Sequence, residues 1–234
     1  MKRILKIFGV LVLLLIVGGF IYAWAKHEPL PDGTKGNEAD LLGQQMLTAL
    51  NNNAYQNTRY FEWSFSNGAT HYVWDKELGT CLVQRKDVEV NLNLNRPLKS
   101  SVVKNGTYLR GVEKEKAIES ALDSFNNDSF WLVAPYKIFD QGTERRLVNL
   151  DKGEKGLLVT YTQGGSTPGD SYLWLLNDNG FPYAFKMWVS ILPVGGIEAS
   201  WDNWLITESG TYLPKSHKMG PFDFSMGLVK AYHE

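Results

Sequence analysis

Side chains able to do chemistry occur along this chain of 234 residues, but their spacing forms no complete catalytic or metal-binding set. The four histidines are His27, His71, His217 and His233, and none lies in the HxH or HxxxH pairs that present two imidazoles to a zinc ion. No G-x-S-x-G motif marks a serine nucleophile, and no carboxylates pair in a way typical of acid–base catalysis. The sequence therefore predicts a non-enzyme without metal or cofactor.

The most distinctive loop reads GGSTPGD and runs from Gly164 to Asp170. It contains no Gly-Lys-Ser/Thr and joins two predicted strands, which argues against a phosphate-binding loop. One interpretation is a hairpin connection, in which the glycines and the Pro-Gly step supply the turn geometry. The other is a rim loop in which Asp170 contacts a ligand or partner.

Aromatic residues are the strongest remaining signal. Seven of the eight tryptophans follow the N-terminal apolar run, and most of them lie in predicted strands. They either pack as cross-strand pairs in a core or line an apolar cavity with a few polar anchors. The candidates for a cavity wall are Phe61, Trp63, Phe65, Trp74, Trp131, Trp174 and Trp188. Arg59 and Asp170 are the candidates for its polar rim.

Charge and cysteine content exclude two classes of protein. The chain has 24 basic and 25 acidic residues, and the basic residues are scattered, so it lacks the electrostatic footprint of a nucleic-acid-binding protein. The single cysteine, Cys81, excludes an internal disulfide framework. We expect Cys81 to be a small buried apolar residue.

An uncharged, mostly apolar run extends from Ile7 to Ala25, behind Lys2, Arg3 and Lys6. As a helix it would be about 28 Å long, close to the thickness of a bilayer core. It is either a retained membrane helix or a signal peptide cleaved after Ala25. Both predict a bacterial envelope protein with its domain in the periplasm, because basic flanks stay in the cytoplasm. Retention makes it a single-pass inner-membrane protein, and cleavage releases it into the periplasm.

The remainder divides into a Pro- and Gly-containing spacer at residues 26–37 and one domain at residues 38–234. Helical periodicity predicts helices over Glu38–Asn51, capped by Asn37, and over Glu113–Phe125. Alternation and turn residues predict antiparallel strands. The predicted strands are Thr58–Phe65, Ala69–Lys76, Thr80–Arg85, Val88–Leu94, Arg145–Asn149, Gly156–Thr162, Ser171–Leu176, Tyr183–Val189, Glu198–Ile206, Tyr212–Lys218 and Phe224–Tyr232.

Two of these strands are apolar on both sides. In Tyr172–Leu176 one side carries Tyr172, Trp174 and Leu176 and the other carries two leucines, and Tyr183–Val189 is similar apart from Lys186. A strand that is apolar on both sides must be covered on both sides. Two short helices cover only part of one face. The sheet therefore either curls onto itself as a sandwich or forms a curved half-barrel whose hollow holds a lipid-like ligand.

The order of elements resembles that of periplasmic lipoprotein carriers of the LolA/LolB type, over residues 38–234. A helix precedes an aromatic strand, Thr58–Phe65, and antiparallel strands with a helical insert follow. The blocks Asn127–Lys137 and Thr167–Trp174 look like those of bacterial relatives of that superfamily. The resemblance implies an α+β, mainly antiparallel fold: an unclosed half-barrel with about two helices across its mouth. It also implies acyl chains bound in the hollow, with Arg59 a possible ligand-contacting residue.

The sequence thus favours a membrane-tethered binding protein for a lipid, an acyl chain or a lipoprotein. The alternative is a structural or interaction protein of the envelope with a self-packed domain and no ligand. A hydrolase using Asp170 is the least supported hypothesis. The protein partner, if one exists, is not indicated by the sequence.

Overall fold

The computed structural model describes residues 26–163 and 167–234. The predicted membrane or signal segment and Gly164–Ser166 of the glycine-rich loop lie outside these residues. The described fold is α+β and mainly antiparallel, as predicted, and its sheets do not close into a barrel. The helices are α1 (Asn37–Ala49), α2 (Asn52–Asn57) and α3 (Gly111–Val133), with 3-10 turns at Pro97–Lys99, Ala134–Lys137 and Asp151–Gly153.

The first sheet has seven strands, and its longer strands alternate buried and more exposed residues along the chain. Its order is β16-β1-β2-β3-β4-β5-β6, with every neighbour antiparallel. The strands are β1 (Tyr60–Phe65), β2 (Thr70–Asp75), β3 (Thr80–Arg85), β4 (Val88–Asn93), β5 (Ser101–Lys104), β6 (Thr107–Tyr108) and β16 (Lys230–Tyr232). The alternation in Val88–Leu94 predicts a strand with one face buried and the other in water. This prediction is confirmed, because Val90 and Leu92 of β4 are buried while Glu89 and Asn91 are exposed.

The second sheet has five strands, in the order β11-β10-β9-β8-β7. They are β7 (Thr143–Asn149), β8 (Lys155–Tyr161), β9 (Ser171–Leu176), β10 (Pro182–Trp188) and β11 (Ile197–Ser200). The sequence Asn-Asp-Asn-Gly at residues 177–180 predicts a hairpin turn. This prediction is confirmed, because the turn joins β9 to β10 with Gly180 at φ 83°.

Three predicted strands are each broken in two. The chain leaves the sheet after β11 and forms two small hairpins: β12 (Trp204–Ile206) with β13 (Tyr212–Pro214), and β14 (Ser216–Met219) with β15 (Phe222–Ser225). Asn203 adopts a positive φ of 54° at the first break. The last piece, β16, returns to pair with β1 at the edge of the first sheet.

The helices differ from prediction at their ends. Gly36 precedes the first turn of α1, and α1 has no side-chain cap, so the capping role predicted for Asn37 is wrong. Helix α3 continues to Val133 rather than ending near Phe125. The extra turns carry Phe130, which packs on Tyr172 of the second sheet, and the fully buried Leu132. The burial of these side chains favours the longer helix.

Helix α3 lies between the two sheets and contacts both through aromatic rings. The Phe125 ring lies 6.2 Å from that of Trp63 and 5.4 Å from that of Trp74, on the first sheet. The Phe130 ring lies 4.6 Å from that of Tyr172, on the second sheet. One continuous core therefore joins both sheets.

The outer face of the second sheet carries a separate apolar cluster. Its buried members are Val148, Leu158, Leu173, Leu175 and Ala184. The prediction that these strands are covered on both faces is therefore confirmed.

Part of this cover comes from residues 26–36, which we call the strap. At one end of the strap, the Glu28 carbonyl accepts a hydrogen bond from the indole N–H of Trp188 on β10. At the other end, Thr34 pairs with Leu147 on β7. These strands are three spacings apart, about 14 Å, which six extended residues span easily. The sequence predicts a free spacer here. The strap instead crosses the sheet, because the outer apolar cluster offers it a surface to bury.

Candidate functional site

A cleft of about 420 Å³ opens between α3 and one end of the first sheet. Its walls are mostly apolar, and the small side chains of α3 leave room beside the strands. The lining residues are Ala69, Thr70, Val83, Arg85, Lys86, Asp87, Val88, Val90, Ala117, Ser120 and Ala121. Its volume lies in the range typical of small-molecule sites.

Arg85 and Lys86 are the cations that line this cleft. Arg85 is placed there by the last pair of β3, in which it lies opposite Val88. Its Nε donates to the Thr70 hydroxyl at 3.1 Å, and one terminal nitrogen donates to the Ser120 hydroxyl at 3.2 Å. These hydrogen bonds hold the guanidinium between β2 and α3. Both acceptors are neutral, and the charged residues Lys86 and Asp87 also line the cleft. The cleft thus combines apolar walls with the positively charged Arg85, which an acidic ligand can approach.

Behind Arg85 lies a buried acidic pair. The Tyr72 hydroxyl donates to the Asp128 carboxylate at 2.5 Å, and Asn127 donates to its other oxygen at 2.9 Å. Burial raises the pKa of Asp128 above its ordinary value, although the two hydrogen bonds and the Arg85 charge oppose this shift. Arg85 therefore lines the cleft and also acts electrostatically on the buried acid.

A second cavity, of about 360 Å³, lies at the start of the strap. It is bounded by the loop between β10 and β11, residues 189–195, which we call the apolar loop. The remaining walls come from His27, residues 168–170 and Trp188. This cavity is more open and lies at the second sheet, away from α3.

Three of the predicted cavity-wall residues are fully buried in the core. Phe61, Trp63 and Trp174 have no exposed surface. Trp63 stacks on Tyr72 at 4.6 Å, and Trp174 meets Phe185 edge-on at 5.2 Å. These contacts match the packing interpretation, and neither cavity described above includes these three residues.

The other four candidates are partly buried. Phe65 and Trp74 pack against the core from the first sheet, and Trp131 packs on Phe185 from α3. Trp188 lines the second cavity. The structure thus places only Trp188 of the seven at a described cavity.

Arg59 does not line either cavity. Its guanidinium binds the Asp75 carboxylate through two nitrogens, at 2.8 and 3.1 Å, and lies over the Tyr60 ring. Hydrogen bonding to Arg59 lowers the pKa of Asp75. This pair ties β1 to β2, which is a structural role.

Asp170 lines the second cavity but is buried. Its carboxylate accepts from the Thr167 hydroxyl at 2.5 Å and from the Ser190 backbone N–H at 2.8 Å. Asp170 therefore joins its own loop to the apolar loop. The bridge uses both carboxylate oxygens.

Sequence reasoning did not single out Arg85 or the alanines of α3. The sequence did contain a signal for this cleft. Thr70, Arg85 and Val88 lie side by side on β2, β3 and β4 and belong to the same face of the first sheet. A cation ending an otherwise apolar face marks a boundary between core and solvent. The partnership of this row with α3 required the tertiary structure.

Other expectations concern single residues. Cys81 is fully buried, as predicted, and burial raises the pKa of its thiol. His217 lies in a predicted strand, where a histidine is most often at the surface or half-buried, but the structure buries it fully. The described residues include no group of three or more potential metal ligands.

Among the residues with described structure, no helix has the length and apolar character needed to cross a bilayer. No protein-family model matches the chain, and no curated protein matches it.

Proposed function

We propose that this protein binds an amphiphile with an acidic head group and an apolar chain, such as a fatty acid or the acyl chain of a lipid or lipoprotein. The observation that carries the proposal is the cleft beside α3, where apolar walls end at Arg85. The chain would lie along Val83, Val88 and Val90, and the acid would pair with the guanidinium.

The two parts of such a ligand contribute in different ways. Each methylene removed from water contributes about 0.8 kcal/mol, which corresponds to about a fourfold gain in affinity. A charge-assisted hydrogen bond to Arg85 contributes about 1.5–3 kcal/mol. Chain length therefore sets affinity, and Arg85 sets the preference for an acid.

The apolar run at residues 7–25 would determine where in the cell the proposed binding protein is located. We infer that the run holds the domain at the periplasmic face of a bacterial inner membrane, where acyl chains are available. This role suits a membrane-tethered relative of the LolA/LolB-type carriers. Such a protein would have an unclosed half-barrel with helices across its mouth. Cleavage after Ala25 would make it a soluble carrier instead.

A chain-length series tests the proposal on residues 26–234, which contain both apolar clusters. Saturated fatty acids from C8 to C16 are titrated by calorimetry. We expect the dissociation constant to fall about fourfold per methylene and then to level off when the cleft is full. Absence of binding across the whole series would reject the proposal.

Two variants, each with a matched control, locate the ligand. Ala117→Phe fills the cleft and should abolish binding, whereas Glu119→Phe, on the exposed side of α3, should not. Arg85→Gln should weaken fatty-acid binding by about 10- to 100-fold and leave the matching alcohol unaffected. Lys99→Gln, on an exposed turn, serves as the charge control. Equal effects of Ala117→Phe and Glu119→Phe would place the ligand elsewhere.

A second candidate is an envelope interaction protein with a self-packed domain. The complete burial of Phe61, Trp63 and Trp174 by other side chains favours it. It predicts that no fatty acid of the series binds and that crosslinking in cells recovers a protein partner. The titration therefore separates the two candidates.

A further inference from the structure

We infer that the apolar loop, residues 189–195, is a membrane-contacting element that rests on the bilayer surface beside the N-terminal apolar run. This inference depends on the tether in the proposed function and not on ligand binding in the cleft. Its occupant is a lipid surface. Three observations carry it: the composition of the loop, its fixed presentation and its distance from residue 25.

The loop is apolar and exposed. It reads VSILPVG and has no charged residue. Ile191 is 72 % exposed, Pro193 is exposed, and Leu192 and Val194 are partly exposed. Leu30 of the strap is 42 % exposed. An uncharged loop with an exposed isoleucine at its tip is typical of a surface that meets an apolar partner.

The loop is held in a defined position. The Ser190 N–H donates to Asp170 at 2.8 Å, and the Leu192 N–H donates to the Val189 carbonyl at 3.1 Å. Trp188, at its start, donates its indole N–H to the Glu28 carbonyl at 2.8 Å. The exposure of Ile191 is therefore built into the fold, because both ends of the loop are anchored.

The loop lies next to the end of the apolar run. The Gly195 N–H donates to His27 Nδ1 at 3.0 Å, and the Glu28 N–H donates to the Gly195 carbonyl at 3.0 Å. His27 is two residues from Ala25, a span of at most about 7 Å. Four residues separate Gly195 from Ile191, at most about 14 Å.

This distance brings the loop to the bilayer when the run crosses it. The head-group region extends about 5–8 Å beyond the hydrocarbon core on each side. A helix that ends at residue 25 therefore leaves the base of the loop within reach of the interface. Trp188 beside it has the amphipathic ring that suits this depth. A long free spacer would separate the domain from the lipid, but the docked strap prevents such separation.

The test uses the full chain in vesicles of phosphatidylcholine and phosphatidylglycerol. Ile191→Cys carries an environment-sensitive fluorophore, and the natural Cys81 is too buried to compete for labelling. Ile206→Cys is the matched control: Ile206 is 60 % exposed, and neighbouring Trp204 packs on Phe181 at the opposite end of β10. Quenchers are placed in the lipid chains or, as iodide, in the water.

We expect the label at 191 to be quenched several-fold more by the lipid-borne quencher than the label at 206, with the reverse order for iodide. Equal quenching at both positions would overturn the inference. If the label at 191 is protected from iodide but is not quenched by the lipid-borne quencher, a second copy of the chain covers the loop. This result would also overturn the inference.

Flotation separates this inference from the tether itself. If the full chain does not float with the vesicles, the tether fails and the loop inference fails with it. If the chain floats and position 191 stays in water, only the loop inference fails. Neither result depends on whether fatty acids bind the cleft.

Discussion

His217 illustrates how one buried side chain can carry a pH response. Its Nδ1 lies 2.8 Å from the Ser200 carbonyl oxygen, and its Nε2 lies 2.7 Å from that of Trp131. A neutral imidazole has one N–H and can donate to only one of them. Burial is the larger effect and lowers the pKa of His217 below its ordinary value, although both carbonyls oppose the shift.

The direction of that shift predicts a loss of stability in acid. Because the folded pKa is lower than the unfolded value of about 6.5, the unfolded chain binds more protons as the pH falls through that region. The free energy of unfolding should therefore be highest above pH 6.5 and decrease toward pH 5. Urea denaturation across this range measures it.

His217→Gln should lose this contribution to the pH dependence and be about 1–3 kcal/mol less stable at pH 7.5, through the lost buried hydrogen bond. His71→Gln, at a half-exposed histidine 3.7 Å from Glu62, is the control and should keep the contribution. An unchanged slope in His217→Gln would contradict the assignment.

At the scale of elements, α3 is the helix on which the core is organised. Its apolar side meets the first sheet through Phe125, and its last turns meet the second sheet. The sequence pattern predicted the seam that contains Phe125. It did not predict the extension to Val133, because the polar Asn126–Ser129 stretch interrupts helical periodicity. Asp128 is accommodated there by its bond to Tyr72.

Truncation of Phe125 tests this role of α3. Phe125→Ala should destabilise the fold by about 3–5 kcal/mol, because it leaves a cavity between Trp63 and Trp74. Asp123→Ala, two residues away on the exposed side, should change stability by no more than about 0.5 kcal/mol. Urea denaturation compares the two variants. A cost for Phe125→Ala near that of Asp123→Ala would mean that α3 does not pack as described.

At the scale of the whole molecule, the strap joins the apolar run to the domain and covers part of the second sheet. Gly33 allows this close approach, since a Cβ there would lie 2.8 Å from the Cβ of Arg146 and 3.0 Å from the Leu147 carbonyl oxygen. Glu28 secures the other end through an ion pair with Lys186 at 2.7 Å. The strap thus fixes the point at which residue 26 leaves the domain, which would set the position of the domain relative to the proposed tether.

Gly33→Val should displace the strap, because the added side chain meets backbone. We expect a cost of about 1–3 kcal/mol, which lowers the melting temperature of residues 26–234 by roughly 2–12 °C. It should also increase binding of a dye that reports exposed apolar surface. Asp32→Val, at the exposed neighbour, should do neither. An unchanged melting temperature for Gly33→Val would show that the strap is dispensable.

Local features of the sequence were sufficient for much of this fold. The alternation of Val88–Asn93, the turn that ends at Gly180 and the helical seam around Phe125 all depend on neighbours within a few residues. Side-chain period and turn geometry are properties of such short segments. The need to cover both faces of Tyr172–Leu176 also followed from the sequence, since both parities are apolar.

What covers each face was decided only by tertiary structure. The strap on the second sheet, β16 beside β1, the burial of His217 and the placing of Arg85 opposite α3 each join segments far apart in the chain. Burial depends on which distant surfaces meet, and the period of a short segment carries no information about its partner. The sequence alone therefore determined most of the longer strands, the turn between β9 and β10 and the surplus of apolar surface, while the packing determined where strands break and where a cleft was left.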